Sequence, residues 1–133
     1  MKTAPVKERG DQLKNCCILI VEDEISSDHL LSIIFGGLCK EILHAKTGKK
    51  AVEICELNRD IDLVLMDIKL PQMNGYDATR KIREFNKEVV IIAQTAYAYP
   101  DDRELALDVG CNDYISKPIN REQLLEVVGK YFK

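Results

Sequence analysis

The 133 residues are 46% hydrophobic and 31% charged, with only seven glycines and four prolines, the profile of one globular domain rather than a fibrous or low-complexity chain. Nineteen basic against 22 acidic side chains give a net charge of −3, which supplies no cationic field for tracking phosphates and argues against direct nucleic-acid contact. The longest apolar run, Cys16 to Val21, has six residues, far short of the roughly 20 that a membrane helix needs, and the first ten residues lack the apolar stretch of a secretory signal. No membrane contact from this segment and a cytoplasmic location are therefore expected.

Residues 1–14 are polar and without period, and read as a linker or disordered tail preceding a domain over 15–133. Cys16 to Val21 then reads as a central strand, apolar throughout as in a parallel sheet covered on both faces. The following segment places Leu30, Ile33, Ile34 and Leu38 at helical spacing, with Ser26 or Ser27 as N-cap and Gly36-Gly37 as the stop. Glu41 to Ala45 is a short second strand, and Thr47-Gly48 opens a helix carrying Ala51, Ile54, Cys55 and Leu57 on one side.

Ile61 to Met66 is a third strand ending at Asp67, and Lys69 to Gly75 reads as a loop closed by Pro71 and Gly75. A helix over about 76–84, a strand from Val89 ending near Thr95, and a helix from Asp101 to Val109 stopped by Gly110 follow. Asp113 to Ser116 is the last strand, Lys117-Pro118 breaks it, and Asn120 caps a closing helix with Leu124, Val127, Val128 and Tyr131 inward. Five βα units wound right-handedly predict an α/β fold of flavodoxin-like, doubly wound type: a five-stranded parallel sheet in the order 2-1-3-4-5 with five helices. The five cysteines (Cys16, Cys17, Cys39, Cys55, Cys111) have no CxxC spacing and are expected as buried free thiols, not zinc ligands or disulfides.

In such sheets ligands sit at the carboxyl ends of the strands. Gathered there are Glu22 and Asp23, Asp67, Thr95 and Lys117. Three carboxylates on adjacent strand ends repel one another by about 4 kcal/mol per pair 4 Å apart at a surface-like dielectric, and a divalent cation relieves this. All-oxygen ligands on an open rim suit Mg²⁺ or Mn²⁺. An ammonium and a hydroxyl at the neighbouring strand ends complete a holder for a phosphoryl group, Lys117 and Thr95 each taking one oxygen. An aspartate can be the nucleophile in phosphoryl transfer; Asp67, alone on the middle strand, is assigned that role, and the adjacent Glu22 and Asp23 that of metal ligands. No serine or cysteine at a strand end has a histidine beside it, which disfavours a Ser-His or Cys-His hydrolase.

With these residues in place, four segments carry a resemblance: Ile18-Leu19-Ile20-Val21-Glu22-Asp23-Glu24, Leu65-Met66-Asp67 through Gly75, Ile92-Ala93-Gln94-Thr95-Ala96, and Asp113-Tyr114-Ile115-Ser116-Lys117-Pro118. In this order and spacing the chain, from about residue 16 onward, resembles the receiver (response-regulator) domains of two-component phosphorelay signalling. The resemblance implies that Asp67 accepts a phosphoryl group from a phosphohistidine on a histidine kinase or histidine phosphotransfer domain. It adds the backbone carbonyl of Lys69 to the metal ligands Glu22, Asp23 and Asp67, with Thr95 and Lys117 binding the phosphoryl oxygens. It also implies a cis bond before Pro118, and a population shift in which Thr95 and Tyr114 move together and remodel the face of the fourth helix, fifth strand and fifth helix, a surface through which such domains also form homodimers.

Lys69 and Tyr97 occupy the positions that set phosphoform lifetime in the family, and two large side chains there imply slow hydrolysis. Glu22 stands where many members have Asp, so its longer arm is expected to contact the metal through water. The segments around Thr95 and Lys117 look most like the C-terminal receiver of a hybrid histidine kinase, whose parent protein could be membrane-anchored, with a stand-alone receiver acting as relay intermediate as the alternative. Such a domain is not an enzyme beyond its own phosphorylation and slow dephosphorylation. An aspartate-nucleophile phosphohydrolase lacks a long enough insertion for a substrate cap, and a flavodoxin-type cofactor would be repelled by Glu22-Asp23-Glu24.

Overall fold

The computed structural model describes residues 12–96 and 100–132. Five strands, β1 (Cys17–Val21), β2 (Glu41–Ala45), β3 (Leu63–Asp67), β4 (Val90–Thr95) and β5 (Asp113–Ser116), alternate with five helices, α1 (Ile25–Phe35), α2 (Gly48–Leu57), α3 (Gly75–Phe85), α4 (Pro100–Val109) and α5 (Arg121–Gly129). The sheet is parallel in the order β2-β1-β3-β4-β5, as the βα alternation predicted.

The strand period of two explains why the central strands are apolar throughout. On β1, Cys17, Leu19 and Val21 enter one cluster with Val64, Met66, Ile91 and Ala93, closed by Ala51 and Cys55 of α2, Ala78 and Ile82 of α3 and Ala106 of α4. Ile18 and Ile20 point the other way, into a cluster with Leu63, Leu65, Ile92 and Ile115 beneath Leu31 and Phe35 of α1 and Leu124 and Val128 of α5. The edge strands β2 and β5 are only partly buried. Asn74 and Asn120 cap α3 and α5 by accepting from the amides of Asp77 and Gln123, and Thr47 caps α2 by accepting from Lys50, each at 3.0 Å.

The structure corrects the sequence reading in four places. The expected tail is too long: Leu13 is 2% exposed and packs into the α1/α5 cluster, because the turn at 12–15 folds it back under the sheet, with the Cys16 amide donating to its carbonyl. The inward stripe of α1 is Leu31, Ile34 and Phe35, whereas Leu30 and Ile33 face solvent. Its N-cap is Glu24; the hydroxyls of Ser26 and Ser27 donate to the Glu24 carboxylate at 2.9 and 3.0 Å instead of capping. On α2 Leu57 is exposed, and on α5 Leu125 rather than Tyr131 completes the buried stripe. All five cysteines are free, four of them buried and Cys39 partly so.

Candidate functional site

At the carboxyl ends of β1, β3, β4 and β5 a cleft of about 300 Å³ is lined by Glu22, Asp23, Asp67, Lys69, Thr95 and Lys117, with Glu24 and Ala96 at its margin. Every strand-end residue singled out in the sequence thus reaches one place. Glu22, Asp23 and Asp67 each present a carboxylate oxygen within 4.8 Å of the others. Asp23 is exposed, while Glu22 and Asp67 are 2% and 4% exposed. Thr95 is buried at the end of β4.

The Lys117 ammonium donates to Glu22 Oε1 at 2.8 Å and reaches Asp67 Oδ2 at 3.4 Å. The Glu24 amide holds the other Glu22 oxygen at 3.3 Å, and the Lys69 amide donates to Asp67 Oδ1 at 3.3 Å. Burial, reinforced by the hydrogen bond and charge of Glu22, pushes the Asp67 carboxyl up to about 7, against the opposing pull of Lys117. Burial acts the same way on Glu22, but its hydrogen bonds with Asp67 and Lys117 outweigh it and leave that carboxyl below its usual range. Lys117 is also raised, since its two carboxylate partners outweigh the effect of burial.

The loop carrying Lys69 is held by backbone approaches that leave no room for side chains. A Cβ on Gly75 would lie 2.3 Å from the Asp67 carbonyl oxygen, and one on Gly48 would lie 1.9 Å from that of Met73. The Lys49 amide donates to the Gln72 carbonyl at 3.0 Å, and Gln72 and Met73 take positive φ of 46° and 81° to make the turn. On its outer side the loop borders a second cleft of about 500 Å³ between Asp23 and Tyr76, walled by Ile68, Leu70 and Pro71. The Lys117-Pro118 bond is cis, as the resemblance implied. Tyr114 is half-buried on β5, and burial raises its phenol. Tyr97 lies outside the described residues.

Two features escaped the sequence reading. Arg83 of α3 is a half-buried hub: Nε donates to the Gly110 carbonyl at 2.9 Å, Nη1 to the carbonyls of Asn86 and Val89 at 3.2 and 2.7 Å, and Nη2 to Asn112 Oδ1 at 2.8 Å. In sequence it is one more charge on an amphipathic helix. Gln94, next to Thr95, is completely buried, and among the described residues neither its Oε1 nor its Nε2 has a hydrogen-bond partner. Its phase in β4, two residues after Ile92, was the available signal that it faces the core.

A doubly wound sheet with an acidic triad, a lysine and a threonine at its strand ends is the architecture of a phosphoacceptor signalling domain. The response regulator receiver domain family matches residues 18–129, and the chain belongs to that family. It is 34% identical over 127 residues to hybrid signal transduction histidine kinase I of Dictyostelium discoideum, a match that covers 90% of this chain but only 7% of that protein.

Among solved structures it is similar to the receiver domain of a sensor histidine kinase of Pseudomonas aeruginosa, which carries a magnesium ion in its active-site cleft. The TM-score is 0.78, with 36% identity, over 88% of this chain and 97% of that one. It is similar too to a Saccharomyces cerevisiae complex of the histidine phosphotransfer protein Ypd1 and the receiver domain of its downstream response regulator Ssk1 (TM-score 0.84, 30% identity, 90% of each chain). No helix among the described residues is long and apolar enough to cross a membrane.

Proposed function

We propose that this receiver domain takes a phosphoryl group from a partner's phosphohistidine onto Asp67. The observation that carries the reading is the convergence of Glu22, Asp23, Asp67, Thr95 and Lys117 on one cleft. An oxygen of the Asp67 carboxylate attacks phosphorus, the N–P bond of the phosphohistidine breaks as the O–P bond forms, and the departing imidazole takes up a proton. Lys117 receives one phosphoryl oxygen as a point charge, and the Thr95 hydroxyl donates to another. Thr95 acts from a buried position and Lys117 from a partly buried one, where water screens the contact less than at an open surface.

The donor set fits Mg²⁺, with Mn²⁺ able to replace it: three carboxylates whose oxygens converge, plus the carbonyl of Lys69 on the loop that Gly48 and Gly75 hold close. When bound, the ion would neutralise charge on the acceptor and the transferred group. Asp23 is open for direct ligation. Glu22 is engaged by Lys117 and fits a contact through water.

Downstream, Thr95 and Tyr114 are read as the switch pair that couples the phosphoryl group to the α4-β5-α5 face. There a cleft of about 730 Å³ includes Arg103, Leu107, Tyr114 and Val127, and the same face is the expected homodimer surface. Lys69, exposed at the rim, is read as shielding the acyl phosphate from water and lengthening its life, a role that the resemblance also gives to position 97. A histidine kinase or histidine phosphotransfer domain is the partner this chemistry requires, and a hybrid histidine kinase the favoured parent. Incubation with Mg²⁺ and acetyl phosphate, read by intact mass, tests the reading. One phosphoryl group is expected on the wild type and none on Asp67→Asn or in EDTA; equal labelling of Asp67→Asn refutes it.

A further inference from the structure

Across the top of the sheet, strand pairing places three polar side chains in one row on the α1/α5 side. Asp67 and Gln94 are register partners, Gln94 is paired in turn with Ile115, and Glu22 follows Val21, the partner of Met66. Each of the three comes two residues after a member of the apolar cluster on that side: Ile20, Leu65 and Ile92. Glu22 and Asp67 have partners in this row. Gln94 is 0% exposed and both polar atoms of its carboxamide are without a partner among the described residues. An unpaired buried amide is costly, and apolar residues fill the equivalent positions two residues back on β4 and across on β5.

The neighbouring acceptor is Asp67, whose Oδ1 takes the Lys69 amide at 3.3 Å and whose Oδ2 has the longer Lys117 contact. Of the two contacts made by the Lys117 ammonium, that to Glu22 at 2.8 Å is the close one and that to Asp67 at 3.4 Å is longer than a charge-assisted hydrogen bond ordinarily runs. When an oxygen of Asp67 carries a phosphoryl group and Lys117 turns to that group, the other Asp67 oxygen keeps no side-chain donor from the lysine. Gln94 is the next side chain in the row, one strand away, with two N–H donors unspent.

We propose that Gln94 is a positioning residue for the acceptor, its carboxamide donating to the Asp67 carboxyl when Lys117 leaves that oxygen for the incoming phosphoryl group. The unpaired amide disfavours the arrangement seen here and is relieved in the loaded one, so Gln94 adds to the differential free energy that drives the shift. The inference rests on Asp67 as acceptor and extends it to a residue beneath the cleft floor.

The test uses beryllofluoride with Mg²⁺ as an unreactive stand-in for the phosphoryl group, on the wild type and Gln94→Met, a substitution of nearly the same shape with no hydrogen-bonding amide. Wild-type affinity is expected to exceed that of Gln94→Met by about three- to tenfold, with the variant's thermal midpoint equal to or above the wild type's. In the wild type, the Gln94 side-chain amide resonances should shift and gain protection from exchange on loading, a readout that needs no variant should Gln94→Met fail to fold. Equal affinities overturn the proposal, as does an amide that stays unprotected in the loaded wild type. Failure of the wild type itself to bind beryllofluoride would instead strike at Asp67 as acceptor.

Discussion

Replacing Gly75 by alanine isolates the backbone contact that sets the acceptor. Gly75 is the first residue of α3 and has no positive φ, so alanine is conformationally acceptable there and should gain about 0.5–1 kcal/mol from lower chain entropy in the unfolded state. Its Cβ, however, would lie 2.3 Å from the Asp67 carbonyl oxygen, 2.9 Å from the Ile68 Cα and 3.0 Å from the Asp67 carbonyl carbon. All three are backbone atoms and none can rotate away, so either α3 or the end of β3 must move. Overpacking costs about 1–3 kcal/mol, and a 2.3 Å approach to backbone belongs in the upper part of that range, about 2–3 kcal/mol, leaving a net loss of about 1–2.5 kcal/mol and a fall of several degrees in thermal midpoint.

The displacement falls on the residue that carries the acceptor, so phosphorylation by acetyl phosphate should slow more than the stability loss accounts for. Gly37→Ala is the control. Its φ is 83° with nothing within 4 Å of the added Cβ, so it carries backbone strain of similar size far from the acceptor. Denaturant melts and initial phosphorylation rates on both variants decide the matter. Gly75→Ala with wild-type stability and rate would refute the reasoning, as would equal slowing in the two variants.

Two further outcomes follow from the site and its supports. Asp67 titrates in the fold near 7, above the roughly 4 of an unfolded aspartate, so between those values the native state holds a proton the unfolded state has released. Its contribution to stability is full below about pH 4 and is lost as pH rises toward 7, whereas the lowered carboxyl of Glu22 adds stability that is in place above its ordinary range and is lost only as pH falls below it. In EDTA, Asp67→Asn should therefore be more stable than wild type by about 1–3 kcal/mol near pH 8 and lose the advantage near pH 4; urea melts at both values check it, and a pH-independent difference would be wrong for this linkage. Arg83→Met keeps the stem beneath Gly110 but removes the donors to the carbonyls of Gly110, Asn86 and Val89. A loss of about 2–4 kcal/mol is expected, with amide exchange accelerated first in the α4–β5 connection, and unchanged exchange there would remove Arg83 as its anchor.

The strands and the cleft residues were legible because chemistry and position coincide: short β-rich apolar runs end in Glu22, Asp67, Thr95 and before Lys117, and a parallel sheet brings such ends together. The face of α1 was not. Leu30, Leu31, Ile33, Ile34 and Phe35 spread over an arc of about 200°, wider than one buried stripe, so periodicity alone cannot tell the buried Leu31 and Phe35 from the exposed Ile33. Leu13 hid in a polar stretch because its burial depends on a single turn that carries no hydrophobic period. The pairing of Lys117 with Glu22 spans 95 residues and only the folded geometry reveals it. Gln94 carries no signal in the sequence beyond an amide in an apolar strand, and it becomes informative only through its lack of partners among the described residues.

The most direct measurement locates the phosphoryl group chemically. Borohydride reduces an aspartyl phosphate to homoserine with release of phosphate, and peptide mapping then reads the position by mass. After phosphorylation with Mg²⁺ and acetyl phosphate, homoserine is expected at position 67 alone. Reduction product at position 22 or 23, or a stable phosphate on another side chain with Asp67 intact, would contradict the assignment of Asp67 as the acceptor.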